Sequence, residues 1–352
     1  MRAVCFEEVE RIGIRQLPMP ALLQPGDAIV RVELAGLCGS DLHPFFGREE
    51  GLDVGTVMGH EFVGTIEAVG AGVTSLTDGD RVCAPFTTNC GVCSYCRDGL
   101  TSRCTKGELF GWRSNNEGLH GGQAEYVRVP LADGTLVKVP DGIDDETALL
   151  LGDNLSTGFF CAEMAGIRRG GKYAVIGCGT VGLLALACAR RMGAETVIAI
   201  DPVESRRDMA TQLGGQACSP DDAITMIKDL TGGQGVESVM ELVGLPAAQK
   251  LAFDAIRPGG TMSVIGCHCT PNFAFSPADA YDKNLTYRTG RCPARHYMSR
   301  LMDELVTNPM DLSWCISHRF SIDDAEAAYK TFAYREPGCL KAALTVSGHE
   351  SH

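Results

Sequence analysis

The first 150 residues alternate short apolar and polar runs between glycines: DAIVRVELAG (27–36), EFVGTIEAVGAGV (61–73), DRVCAP (80–85), AEYVRVP (124–130) and TLVKVP (135–140). Side chains alternate across a strand, so runs of this period and length predict an antiparallel, barrel-like β domain with functional loops between its strands. The texture changes at Gly170. From there the chain reads strand KYAVIG, glycine turn, helix TVGLLALACARRMGA, strand TVIAID, helix SRRDMATQLGG, then later strands VESVMELVG and GTMSVIG. Strand and helix in alternation predict βαβ units on a parallel, doubly wound sheet. After a strand LTYRTG, the helical ARHYMSRLMDELV and the closing LKAALTV are expected to return to the first domain. The fold class is therefore α/β plus β. Residues 1–153 and 292–352 are expected to form the β-rich domain, and 154–291 the nucleotide-binding one.

Composition narrows the function classes. With 352 residues, 45% hydrophobic and 21% charged, the chain has the make-up of a two-domain globular protein. No apolar run approaches the length of a bilayer span, since VGLLALACA is stopped by Arg190 and Arg191, so membrane insertion is not expected. The net charge of -13, with 31 basic against 44 acidic residues, argues against nucleic-acid binding, which needs a basic face. The N-terminus MRAVCFEEVE lacks the apolar region of a signal peptide, which points to the cytoplasm, where the 16 cysteines stay reduced or bind metal. There is no internal repeat, and the closing GHESH reads as a frayed tail or an added remnant.

Four of those cysteines stand together: Cys90, Cys93, Cys96 and Cys104, in TTNCGVCSYCRDGLTSRCTKG. Unrelated thiols or two disulfides are the competing readings, but spacings this short are characteristic of a tetrahedral zinc shell with bonds of about 2.3 Å. A closed shell of four thiolates leaves no open position, so this zinc is expected to be structural.

Gly177, Gly179 and Gly182 form G-C-G-T-V-G between a predicted strand and a predicted helix. In that context the motif offers a tight turn, close backbone approach to a pyrophosphate and a helix N-terminus aimed at the anion. Asp201 ends the next strand, where a carboxylate accepts from ribose hydroxyls and repels a 2′-phosphate, so NAD is expected over NADP. A capping role is the alternative for Asp201, and Arg206 and Arg207 nearby could soften the preference.

Upstream, CGSDLH carries Cys38, Ser40, Asp41 and His43, and GHEFVG carries His60 and Glu61. A catalytic zinc needs about three protein ligands and an open position, and Cys38 with His60 supplies a thiolate and an imidazole. Singly, each also reads as a buried thiol or a turn histidine.

Together these segments closely resemble the zinc-dependent medium-chain dehydrogenase/reductase family, the zinc alcohol dehydrogenases. CGSDLH, GHEFVG, GDRV, the four-cysteine loop, GGQAEYV, LSTG, GCGTVG and the strand-ending aspartate fall in the family's order. The resemblance implies a GroES-like β-rich catalytic domain beside a Rossmann NAD-binding domain, with the site in the cleft between them, and two zinc ions per chain. Cys38, His60 and Asp153 would hold the catalytic zinc, the aspartate standing where many members have cysteine, as in secondary alcohol and formaldehyde dehydrogenases. Glu61 would lie beside that metal or exchange onto it. Ser40 and His43 would relay the proton released when an alcohol, acidified by zinc, gives hydride to the nicotinamide.

By the same resemblance Thr157, Thr180, Val181 and Val243 would line the cofactor. Lys341 aligns with a basic position that reaches the pyrophosphate, a solvated surface lysine being the other reading. His268, between Cys267 and Cys269, is read as loop packing rather than a third metal site. Phe86 and Trp112 would line the substrate pocket. Arg291 stands near where related enzymes place an apolar residue and suggests a polar or anionic substrate group, with pairing to the cofactor or a carboxylate as the other reading. The expected activity is reversible hydride transfer between NAD and a small primary or secondary alcohol, with its aldehyde or ketone. A polyol, sugar or formaldehyde dehydrogenase, and a non-enzymatic zinc- and nucleotide-binding relative, are the alternatives. Relatives join their nucleotide-domain sheets, which implies a homodimer or homotetramer.

Overall fold

A computed structural model describes residues 1–268 and 272–346, so Cys269 and the closing GHESH lie outside the described residues. The chain divides into two compact units, Met1–Asp153 with Pro293–His352, and Asn154–Cys292.

The first unit is built on a seven-stranded sheet. Its order is His318–Ser321, Ala342–Thr345, Ala28–Gly36, Phe62–Val69, Arg81–Cys83 and Val137–Lys138, with Tyr126–Val129 also paired to Ala28–Gly36. The pairing is antiparallel except between His318–Ser321 and Ala342–Thr345, which run parallel. Ala28–Gly36 is the organising strand: one edge holds Phe62–Val69, while the other is shared by Tyr126–Val129 and Ala342–Thr345. Its alternation Val30, Val32, Leu34 feeds apolar side chains inward, and Val30 and Val32 join Phe62, Ile66, Val82, Tyr329 and Leu344 in one core. The return of the C-terminal segment is thus part of the sheet itself. A hairpin of Arg2–Glu8 with Arg11–Gln16 precedes it, an element the periodicity did not single out.

The second unit is a six-stranded, wholly parallel sheet in the order Gln216–Cys218, Thr196–Ile200, Lys172–Ile176, Val236–Glu241, Ile256–Val264, Thr286–Thr289. Strands buried on both faces read as continuous apolar runs, which is why KYAVI and TVIAI were legible. The helix Thr180–Arg191 buries Leu183, Leu184, Leu186 and Cys188 and ends on Arg190 and Arg191, cations suited to its negative end. Gly182 admits no substitute, because a Cβ there would lie 1.8 Å from the carbonyl oxygen of Gly177. Among the described residues no helix is long and apolar enough to cross a membrane.

Candidate metal centre and nucleotide turn

Among the described residues, two clusters of side chains able to hold a metal stand in the first unit: Cys90, Cys93, Cys96 and Cys104, and Cys38, His60, Glu61 and Asp153. Within each, one donor atom per residue lies within 4.8 Å of all the others.

The four-thiol loop is shaped locally. The N–H groups of Cys90 and Lys106 donate to Cys104 Sγ at 3.2 and 3.4 Å, and that of Cys93 to Cys90 Sγ at 3.3 Å. The N–H groups of Thr105 and Cys96 draw the Cys93 thiol down to about 6. Amide donors aimed at sulfur favour the thiolate that binds metal, while burial pushes the Cys96 and Cys104 thiols of the same loop up.

The second cluster gathers three stretches of chain. Cys38 follows the strand Ala28–Gly36, and His60 and Glu61 precede Phe62–Val69, so the pairing of these two strands brings them together. Asp153 arrives from a helix. Asp144 caps Asp145–Gly152 by accepting from the Thr147 N–H, and Asp145 and Glu146 suit its positive end. The helix then buries Ala148–Gly152 and breaks at Asp153 (φ -145°, ψ -71°), which sets that carboxylate beside the thiol and the imidazole.

Asp153 Oδ2 lies 3.3 Å from Cys38 Sγ and 3.5 Å from His60 Nε2. Bonds of about 2.0–2.3 Å at tetrahedral angles separate donors by roughly 3.3–3.8 Å, so these residues fit one zinc ion. The electrostatics agree. Burial opposes a charge on His60, but Asp41, Asp153 and Cys38 overcome it and hold its pKa well above the usual imidazole value. Burial, then the charges of Asp153 and Glu61, push the Cys38 thiol up to about 11. Asp153 goes the other way: burial opposes its charge, but the hydrogen bond and charge of His60 hold its carboxyl below the usual range. The pocket thus keeps one carboxylate ionised beside a thiol and an imidazole that a dication would deprotonate.

Asp41 has a role the motif alone did not disclose. It is buried, accepts from the Cys38 N–H at 2.9 Å through Oδ2, and places Oδ1 3.3 Å from His60 Nδ1. A carboxylate there fixes the tautomer that leaves Nε2 free for a metal. Its position three residues after Cys38, within one turn, was the available signal. Ser40 is exposed, with Oγ 3.4 Å from His60 Nε2. His43 lies on the short helix Leu42–Phe45, and its Nδ1 is buried without a hydrogen-bond partner.

Lys341 departs from both readings of the sequence. It is neither solvated nor extended toward a pyrophosphate, but 1% exposed, with Nζ 2.5 Å from Glu61 Oε2 and 3.1 Å from the Leu37 carbonyl oxygen. Burial opposes its charge, yet Glu61, then Cys38 and Asp153, keep its pKa above the usual lysine value. The carboxylate of Glu61 fits because residue 36 is glycine: a Cβ there would lie 2.0 Å from Glu61 Oε2.

Phe86 is buried edge-on to His60, with ring centroids 6.3 Å apart. Trp112 is half-buried on the hairpin Trp112–Ser114/Glu117–Leu119 and packs against the core of this unit.

In the second unit Gly177 leaves the strand Lys172–Ile176 at φ +92°, and Gly179 caps the helix opened by Thr180 and Val181. A Cβ on Gly179 would meet nothing within 4 Å, so open space faces this turn. Asp201 follows Thr196–Ile200 and is 3% exposed; its oxygens accept from the N–H groups of Cys178 and Val203, each at 2.8 Å. A carboxylate has about four acceptor positions, so these bonds leave capacity for ribose hydroxyls. Arg206 comes to 3.9 Å from Asp201 Oδ2. Val243 is exposed beyond Val236–Glu241, Thr157 is half-buried on the helix Asn154–Ala165, and Arg291 is exposed. His268 Nε2 lies 2.9 Å from the buried carboxylate of Glu241, a contact that occupies it within the loop.

A β-rich unit with a chalcogen- and imidazole-lined metal pocket, and a parallel-sheet unit with a glycine turn, define a metal- and dinucleotide-dependent oxidoreductase. The sequence families described as Alcohol dehydrogenase GroES-like domain and Zinc-binding dehydrogenase match residues 24–141 and 180–307. Zinc-type alcohol dehydrogenase B of Aspergillus flavus is 38% identical, over 94% of this chain and 78% of that one. An alcohol dehydrogenase of Cupriavidus necator is 36% identical over 98% of each. Among solved structures, alcohol dehydrogenase TADH from Thermus sp. ATN1 superposes with a TM-score of 0.93 at 37% identity, over 99% of this chain and 100% of that one. The chain belongs to the zinc-dependent alcohol dehydrogenases of the medium-chain dehydrogenase/reductase family. It is accordingly an oxidoreductase that acts on small molecules with zinc and a nicotinamide cofactor.

Proposed function

We propose that the protein oxidises small primary or secondary alcohols with NAD, and reduces the matching carbonyls, at a zinc ion held by Cys38, His60 and Asp153. The observation that carries this reading is the spacing of those donors around Asp153 Oδ2, 3.3 Å to Cys38 Sγ and 3.5 Å to His60 Nε2. Zinc there supplies a Lewis acid that lowers the pKa of the substrate hydroxyl, and the nicotinamide accepts the hydride. Asp41 orients the imidazole, and Lys341 retains Glu61 beside the metal. Ser40 accepts the substrate proton at Oγ and His43 takes it onward; the unpartnered Nδ1 of His43 supports that role. Phe86 and Trp112 shape an apolar slot, and Arg291 favours a polar substrate group.

Gly177, Gly179 and Gly182, with the amides of Thr180 and Val181, receive the pyrophosphate. Asp201 receives the ribose, moderated by Arg206, while Thr157 and Val243 line the nicotinamide side. Cys90, Cys93, Cys96 and Cys104 hold a second, structural zinc. We further infer a cytoplasmic homodimer or homotetramer. The test is cofactor reduction across a panel of alcohols and polyols, with NAD and with NADP, before and after chelation. Turnover that survives removal of the metal overturns the zinc assignment, and a higher catalytic efficiency with NADP overturns the cofactor preference.

A further inference from the structure

Gln123 and Tyr329 are polar side chains sealed in the core of the first unit, each 0% exposed. They come from distant segments, Gln123 just before the strand Tyr126–Val129 and Tyr329 on the helix Ala325–Ala333. The Tyr329 hydroxyl donates to Gln123 Oε1 at 2.9 Å, and Gln123 Nε2 donates to the Gly36 carbonyl oxygen at 3.0 Å. Gly36 stands two positions before Cys38, and its own N–H donates to the Glu61 carbonyl oxygen at 3.0 Å.

The same glutamine also underlies the histidine segment. Its N–H donates to the Met58 carbonyl oxygen at 3.0 Å, and a Cβ on Gly59 would lie 2.4 Å from Gln123 Cγ. Gly59 holds φ +85°, which together with that close approach excludes other residues immediately before His60. Tyr329 in turn packs on Phe45, with centroids 5.6 Å apart, at the end of the helix that follows Asp41.

A buried amide costs stability unless its donors and acceptors are met, and an aliphatic residue would fill such a core more simply. What an amide offers here is one donor and one acceptor at once: the Gly36 carbonyl can only accept and, with its hydroxyl turned inward, Tyr329 donates. We propose that Gln123, braced by Tyr329, is a positioning residue for the metal centre, fixing the spacing between the Cys38 and His60 segments. It touches neither substrate nor metal and acts through Gly36 and Gly59. The inference rests on the reading that Cys38, His60 and Asp153 hold zinc.

The experiment is zinc release from the loaded full chain into excess chelator, followed with a colorimetric metal indicator, for Tyr329→Phe and Gln123→Leu. Groups bonded to a metal's ligands commonly tune its affinity about 10–100-fold, and Gln123 acts one step further out, so release from the Cys38 centre is expected to quicken several-fold, up to about tenfold, while the four-thiol zinc leaves at its original rate. Cobalt exchanged into the Cys38 centre should show shifted visible bands in both variants. Unaltered release and spectra overturn the brace, as does equal acceleration at both metals, which reports general loosening. If Gln123→Leu fails to fold, Tyr329→Phe, lacking a single oxygen, decides alone. A parent chain that retains zinc at the four thiols only overturns the underlying reading and this inference with it.

Discussion

Lys341 Nζ lies 2.5 Å from Glu61 Oε2, and each residue is 1% exposed. This ion pair sits against the Cys38 centre and ties the strand Ala342–Thr345 to the segment that carries His60. Removing one member of a buried pair strands the other charge, which commonly costs about 3–5 kcal/mol. Lys341→Met is therefore expected to lower stability by about 3 kcal/mol in denaturant titration, and the Lys341→Met/Glu61→Gln double variant to recover part of it. A single variant as stable as the parent would show that the pair contributes nothing.

Zinc must displace protons from two groups at that centre. The Cys38 thiol is pushed up to about 11, and His60 stands well above the ordinary imidazole value. The Cys38 thiol binds a proton throughout this range in the metal-free chain, so affinity should rise by at least about tenfold per pH unit, and more steeply wherever His60 also gives one up. Competition with a chelator between pH 6 and pH 8 measures the slope. For the metal-free chain the sign follows from His60: its raised pKa stabilises fully below the unfolded value of about 6.5, and that contribution fades as pH climbs through the folded value. Affinity that does not vary with pH would contradict the proton count.

Ser40 Oγ stands 3.4 Å from His60 Nε2 on the exposed side of the cluster. If it accepts the substrate proton, Ser40→Ala should lower kcat by about 100-fold or more, with little change in NAD affinity measured by fluorescence titration. Equal loss of both would point to a merely structural hydroxyl.

Amide donors point at the sulfurs of the four-thiol loop, which on the proposed reading holds a closed, structural zinc shell. Cys93→Ser should release one zinc per chain by elemental analysis and lower stability by more than about 3 kcal/mol. Protein that remains folded should keep kcat within about threefold. A large fall in kcat with unchanged melting would reverse the roles of the two sites.

Much of this site could be read along the chain because its pieces are local. Cys90 to Cys104 span one loop, and Gly177 to Gly182 one turn, so spacing already constrains their geometry. Residues such as Tyr173 and Val197 lie in strands buried on both faces, and their uninterrupted apolar runs mark the parallel sheet. Lys341 was misread because a lysine in CLKAAL looks the same whether solvated or buried; only the opposing Glu61 makes burial tolerable. Gln123 stands in the GGQAEYV segment, but nothing along the chain disclosed that it meets Tyr329, 206 positions away.

By itself, the sequence determined the two kinds of unit, the four-thiol loop, the nucleotide turn and the residue types able to hold a reactive metal, since each depends on periodicity or on neighbours a few positions away. The family resemblance already set Asp153 beside Cys38, but the tertiary structure alone decided how it gets there across 115 positions, that Asp41 orients His60, and that Lys341 turns inward to Glu61. Those relationships depend on strand pairing and on the break after Gly152, where distance in space no longer follows distance along the chain.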